Sequence, residues 1–257
     1  MPSYILAHDI GTSGNKAALF DEHGALVSSS TVPYATYIAD SVCIEQSAED
    51  WWKAVSLATK QVLQGIAPSD VVAIGVSGQM IACLPVDRLG NPLHNAIIWS
   101  DTRAVQEAEA LRAAFGEPTL YHITGQPVSP NYVLPKIMWF KAHYPQLYKE
   151  TFCFLQSKDF VNARLTGGVI KTDPTDAAYT LAYDIGRGCW SEQILSFAEI
   201  SKDKFPEVVP CGTIIGKVCK KAADACGLPA GIPVIETAGD GSAAHLGAGN
   251  TKSGDTY

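Results

Sequence analysis

His8-Asp-Ile-Gly-Thr-Ser-Gly-Asn-Lys-Ala-Ala-Leu-Phe20 is the stretch on which the fold turns. Tyr4 to Ala7 ahead of it is a short apolar run and Lys16 to Phe20 is a second. Asp21-Glu22-His23-Gly24 then separates the second run from Ala25-Leu26-Val27-Ser28, a pattern that predicts a three-stranded antiparallel meander with two tight turns. A strand ending in Asp9 and turning through Gly11, Thr12, Ser13 and Gly14 into the next strand presents backbone N–H groups and hydroxyls in one concavity, which suits a phosphate. The spacing is neither GxxxxGK[ST], which leads into a helix, nor GxGxxG. Asp9 would repel a phosphate unless a cation stood between them, so Mg²⁺ is implied, and Lys16 would supply further positive charge. A glycine-bearing hairpin with a surface Asp and Lys has the same pattern, and this segment alone leaves both readings open.

A second segment bears on the choice. Pro233-Val-Ile-Glu-Thr-Ala-Gly-Asp240-Gly-Ser-Ala-Ala is again an apolar strand ending in Gly-Asp-Gly, followed by small residues suited to a closely packed helix. A carboxylate at the mouth of that helix, Asp240, could act as general base for a hydroxyl attacking a phosphoryl group, or could simply be the helix N-cap.

Between these segments strands and helices alternate. Ser47 to Asp50 has capping-box spacing and opens an amphipathic helix running to Leu63, with Gly65 as its stop. Val71–Val76 and Ala96–Trp99 read as strands, with a turn at Asp87–Pro92. Thr102–Phe115, Leu134–Tyr144 and Ser157–Leu165 read as helices. After Pro206 come short strands and turns, a helix at Lys220–Cys226 and a strand at Pro233–Thr237. There is no internal repeat or low-complexity tract.

The chain has 257 residues, long enough for a sizeable core, and its net charge of −7 argues against nucleic acid or an anionic membrane surface as partner. Seven cysteines in no CxxC or paired Cys/His spacing read as reduced, mostly buried thiols of a cytoplasmic protein. The start MPSYILAHD has no basic n-region, which argues against a signal peptide, and no run of 18 apolar residues suggests a membrane span.

DIGTSGNK at 9–16, GVSGQM at 75–80, NAIIWSDTRA at 95–104, PKIMWF at 135–140, KDFVNARLTG at 158–167 and AGDGSAAHLGAG at 238–249 together resemble, in order and spacing, the FGGY family of carbohydrate kinases. Within it the loops look most like the xylulokinase branch. The resemblance implies an α/β fold: an actin-like ATPase (ribonuclease-H-like) domain with a mixed five-stranded sheet flanked by helices and the phosphate hairpin between its first two strands. It implies ATP and Mg²⁺ as cofactors and a small sugar or polyol as substrate. Carried over, Asp9 stands at the metal and phosphate end of the cleft, with Gly11, Thr12, Ser13 and Lys16 facing the γ-phosphate and Asp240 as catalytic base. Gln79, Met80 and Ile81 fall where relatives contact the sugar, Trp99, Asp101 and Arg103 shape or support the pocket, and Asn131 adds a further contact. Trp99 as core packing and Arg103 as a partner of Asp101 alone are the structural alternatives.

Two departures stand out. Xylulokinases typically carry Gln-Met-His-Gly where this chain reads Gln79-Met80-Ile81-Ala82, so a hydrogen-bonding side chain is missing and xylulose is only a first expectation. The chain also stops at Gly254-Asp-Thr-Tyr257, where the family continues into a second domain with the adenine pocket and another phosphate loop. Residues 1–257 are therefore expected to form one N-terminal sugar-binding and catalytic-base domain, inactive alone, with a C-terminal kinase domain as partner and a homodimer left open. The competing expectations are a non-catalytic sugar- or phosphate-binding module, another specificity within the family (glycerol, gluconate, another pentulose), or a nucleotide switch on the same scaffold.

Overall fold

A computed structural model describes residues 3–252 and 254. Met1, Pro2, Ser253 and Asp255 to Tyr257, on which the readings of the two ends partly rest, lie outside it. The predicted meander is present as β1 (Tyr4–Ile10), β2 (Gly14–Phe20) and β3 (Leu26–Pro33), each antiparallel to the next. Alternation along β1 sends Leu6, His8 and Ile10 into the core and leaves Asp9 on the other face, opposite Lys16 of β2. Strand β4 (Val71–Gly78) pairs parallel to β1, β6 (Pro233–Glu236) parallel to β4, and β5 (Ile214–Lys217) antiparallel to β6. The order is β5-β6-β4-β1-β2-β3, a mixed sheet of six strands rather than the expected five.

Helix α1 (Ala48–Val62) lies across β2 and β3, burying Trp51, Val55, Ala58 and Val62 at helical spacing. It stops before Gly65, whose φ of 79° is easily reached without a Cβ. The expected capping box does not form: Ser47 is the N-cap, but its side chain makes no capping bond, and the Asp50 carboxylate accepts from Lys53 instead. Helices α2 (Val105–Phe115), α3 (Glu117–Thr124), α4 (Val133–His143) and α5 (Pro145–Glu150) build a second layer away from the sheet. Then follow α6 (Ser157–Thr166), α7 (Pro174–Ala178), α8 (Glu192–Ala198), α9 (Lys220–Cys226) and α10 (Asp240–Gly247). The strand expected over 96–99 is only Ala96–Ile97, because residues 99–100 turn, and the helix expected from Thr102 begins at Val105. All seven cysteines are free, but only Cys83, Cys153 and Cys226 are buried, while Cys189 and Cys211 are exposed.

Two apolar clusters result. One lies between the sheet and α1, α6 and α9; the other joins α2, α3, α4 and α8 around Leu111, Ile137 and Phe140. The cleft-facing ends of the strands meet at Gly78, the last residue of β4. A Cβ there would come within 2.8 Å of Ile10 Cβ and 3.0 Å of both Ile10 O and Ser157 Oγ, so β1, β4 and the start of α6 touch with no space between them.

Candidate active site

At the carboxyl ends of β1 and β4 a cleft of about 310 Å³ is lined by Thr12, Met80, Ile81, Trp99, Tyr179, Asp240 and Gly241. Four distant segments that the sequence singles out thus converge: the hairpin, the end of β4, the turn at 99 and the start of α10.

The hairpin is held open from beneath. Gly11 N–H donates to Gly14 O at 3.1 Å, and Tyr34 Oη donates to Gly11 O. Gln46 Nε2 donates to Thr12 O at 2.7 Å, while Gln46 Oε1 accepts from Trp51 and from Gln79. Among the described residues nothing accepts from the N–H groups of Thr12 and Ser13, which leaves two backbone donors for an anion. Gly14 is required where it stands, since a Cβ would lie 2.7 Å from Val32 O on the adjacent strand. Asp9 is exposed. The protein around its carboxyl removes water and raises its pKa above the ordinary value, Asp240's charge adds to the rise, and Lys16 opposes it. Two carboxylates that repel one another beside free N–H donors form a donor set that fits one Mg²⁺ shared with phosphate oxygens. No group of three or more potential ligands forms a self-contained metal centre among the described residues.

Asp240 is the first residue of α10 and not its N-cap, which is Gly239. Its side chain is exposed to the cleft, and among the described residues Oδ1 accepts only from Gly241 N–H, at 2.6 Å. Gly239 has to be glycine: a Cβ would lie 2.7 Å from Met80 Cγ and Sδ and 2.9 Å from Asp176 Oδ1. Its N–H donates to Thr175 Oγ1 at 3.0 Å, and Thr175 in turn donates to Asp173 Oδ1.

The sugar-side residues divide. Trp99 is 45% exposed, so it is a wall and not core, and its Nε1 donates to Thr12 Oγ1 at 3.0 Å. Met80 and Ile81 form another wall, and Ile81 sits at φ 68°, a left-handed conformation that costs a β-branched residue about 1–3 kcal/mol. Gln79 does not line the cleft: it is 2% exposed and its amide faces Gln46 and the hairpin. Asp101 is buried, accepting from Ile44 N–H and gripped by Arg103, which also pairs with Glu45 and lies over Trp139. These two brace the turn that carries Trp99. Asn131 Nδ2 donates to Trp99 O at 2.8 Å and so holds the same turn.

Sequence reasoning missed Tyr179 and Gln46, which carry no local pattern, and a buried cluster behind Asp240. There Lys158 Nζ lies 2.9 Å from Asp173, 3.4 Å from Asp176 and 3.6 Å from Asp159, and bonds Glu236. All five side chains are buried. Burial pushes Asp159 up, Asp176 well up, and Glu236 to about 7, so the cluster retains protons that exposed carboxyls would lose.

Residues 4–247 match the profile of the FGGY family of carbohydrate kinases, N-terminal domain. The chain belongs to that family. This FGGY domain is 32% identical over 249 residues to the xylulose kinase of Staphylococcus xylosus, covering 97% of the chain and 51% of the relative. It is also 32% identical to a glycerol kinase of Brucella ovis, with 96% and 50% covered. Among solved structures, xylulose kinase from Rhodospirillum rubrum superposes with a TM-score of 0.93 at 27% identity, covering 98% of this chain and 52% of that one. The FGGY domain thus has the actin-like α/β fold expected of it, and it spans about half the length of the curated relatives it matches. No helix among the described residues is long and apolar enough to cross a membrane.

Proposed function

We propose that residues 1–257 form the acceptor-binding, N-terminal half of an ATP- and Mg²⁺-dependent kinase that phosphorylates a hydroxyl of a small sugar or polyol, working with a C-terminal domain that holds the nucleotide. The observation that carries this reading is the cleft itself: Asp240, without a strong partner, shares its lining with Thr12 of the phosphate-type hairpin and with Trp99, Met80 and Ile81.

In this reading an acceptor lies on Trp99 and against Met80 and Ile81, with the hydroxyl to be phosphorylated within reach of Asp240. Asp240 takes the proton as the oxygen attacks, and the first turn of α10 orients its carboxylate. The N–H groups of Thr12 and Ser13 and the charge of Lys16 receive the transferring phosphoryl group. Mg²⁺, when bound at Asp9, supplies charge neutralisation on the phosphates. Tyr179 completes the wall.

Xylulose is the first acceptor to try, because of the xylulose kinase relatives. The apolar Ile81 favours an acceptor whose facing edge lacks a hydroxyl needing a partner. The test is Asp240→Asn in the chain joined to its C-terminal half. Turnover measured by ADP release should fall ~10²–10⁴-fold while acceptor affinity stays within a few-fold. Near-normal turnover would remove Asp240 from the role of base, and acceptor binding without any turnover in the unmutated joined protein would favour a pure binding module.

A further inference from the structure

Ile81 is held in its left-handed conformation from both sides. Its N–H donates to Gln156 Oε1, and its carbonyl accepts from Lys136 Nζ at 3.0 Å. The same Nζ donates to Ile98 O at 2.8 Å, the carbonyl immediately before Trp99. Lys136 lies on α4, is fully buried, and has no carboxylate within ion-pair distance among the described residues. Cys83, Asp101 and Arg103 are the ionisable groups nearest it, and Asp101 is already committed to Arg103. A buried amine without a counter-ion is expensive to keep, and here its hydrogens go to main-chain oxygens of two walls of one cleft.

We infer that Lys136 is a positioning residue that locks Ile81 in the left-handed conformation and ties it to the Trp99 turn, so that the pair sets the width and apolar edge of the acceptor site. Lys136 touches no acceptor. It acts through the backbone: without the bond to its carbonyl, Ile81 relaxes toward negative φ, its side chain leaves the wall, and the Trp99 turn keeps only the Cys83–Ile97 backbone bridge to the chain that leaves β4. Gln156 secures the N–H but reaches only one wall, since its Nε2 donates to Asp176 O. Lys136 joins the two at Ile81 and Ile98 themselves, two residues and one residue away from the backbone bridge between Cys83 and Ile97.

This inference rests on the acceptor-site reading for its effect on substrate, but the lock itself can be tested apart from it. Urea unfolding of the 257-residue chain is measured for the unmutated protein, Lys136→Met, Ile81→Gly and the double variant. Glycine adopts φ 68° without strain and has nothing to recover by relaxing, whereas Ile81 regains its strain energy once released, so the midpoint shift caused by Lys136→Met should be clearly larger in the Ile81→Gly background. Equal shifts in both backgrounds overturn the lock. If Lys136→Met does not fold, Lys136→Gln, which keeps an N–H donor, replaces it in the same cycle, with the same reading of equal or unequal shifts. In the protein joined to its C-terminal half, Lys136→Met should raise the KM for the best of xylulose, glycerol and gluconate by ten-fold or more, with kcat changing less, and should add little to the loss already caused by Ile81→Gly. A fall in kcat alone, or losses that add in full in the double variant, overturns the positioning role. Should none of the three acceptors be phosphorylated by the unmutated joined protein, the kinase reading fails while the unfolding cycle still decides the lock.

Discussion

Two lysines, Lys136 on α4 and Lys158 on α6, are both completely buried, yet their surroundings are opposite. Lys136 meets only main-chain carbonyls, and burial pulls its pKa down to about 7. Lys158 meets four carboxyl groups, and although burial works in the same direction, their combined charge carries it well above the ordinary value. Burial therefore does not decide whether a lysine stays charged; its neighbours do. The two are also used differently. Lys158 keeps a knot of acids from flying apart behind the strand that leads to Asp240. Lys136 joins two loops, and its neutral form retains two N–H hydrogens, one for each carbonyl.

Removing each amine should separate the two cases. Lys158→Met leaves four buried carboxyl groups without their cation and should cost about 3–5 kcal/mol, read as a lowered urea midpoint. A loss below about 1 kcal/mol would mean that the acids are held by shared protons and that Lys158 is dispensable. Next in size is a pH effect. Lys136 has a folded pKa near 7, below its unfolded value, so between pH 7 and about 10 the unfolded chain binds more protons and this group adds stability as pH rises. The gain approaches ~1.4 kcal/mol per pH unit within that window and vanishes below it. Other groups titrate there, so the measurement is the difference between the unmutated chain and Lys136→Met, which should widen from pH 7 to pH 9; a constant difference would place Lys136's folded pKa outside the window. The smallest effect is Lys136→Met at pH 7. The lost bonds to two carbonyls and the relief of a buried amine work against each other, leaving a change within about 1.5 kcal/mol by thermal or urea unfolding. A loss as large as that for Lys158→Met would erase the contrast.

Where the chain obeys local rules, its sequence is readable. The meander over residues 4–33 follows from apolar runs cut by Asp-Glu-His-Gly, and α9 begins and ends at the expected residues. Helices α3, α5 and α7 escape the same reading because each opens with a proline in its first turn, so residues that normally signal a break are here the start. β5 is four residues with a bulge, too short to show a period, so its sequence marks only a short strand after Pro206 and does not announce that it joins the main sheet as a sixth strand. In the site, the residues bearing an obvious chemical group, Asp9, Asp240 and Trp99, stand at the cleft region. Gln79 does not, because its side chain is buried and its Nε2 donates to Gln46, and no local pattern announces Gln46. The Lys158 cluster is invisible for another reason: its members come from residues 158 to 236, and isolated charged residues are ordinarily read as surface.

The crowding at Gly78 bears on how this cleft could be re-engineered. With Ile10, Gly78 and Ser157 in contact, the phosphate-type hairpin and the acceptor wall behave as one rigid casting, and a side chain inserted at the joint shifts both at once. A library that varies the acceptor therefore gains nothing by loosening the strand ends. Diversity belongs on the overhanging positions, Ile81 and Tyr179, whose side chains can change the shape of the cavity without moving the hairpin.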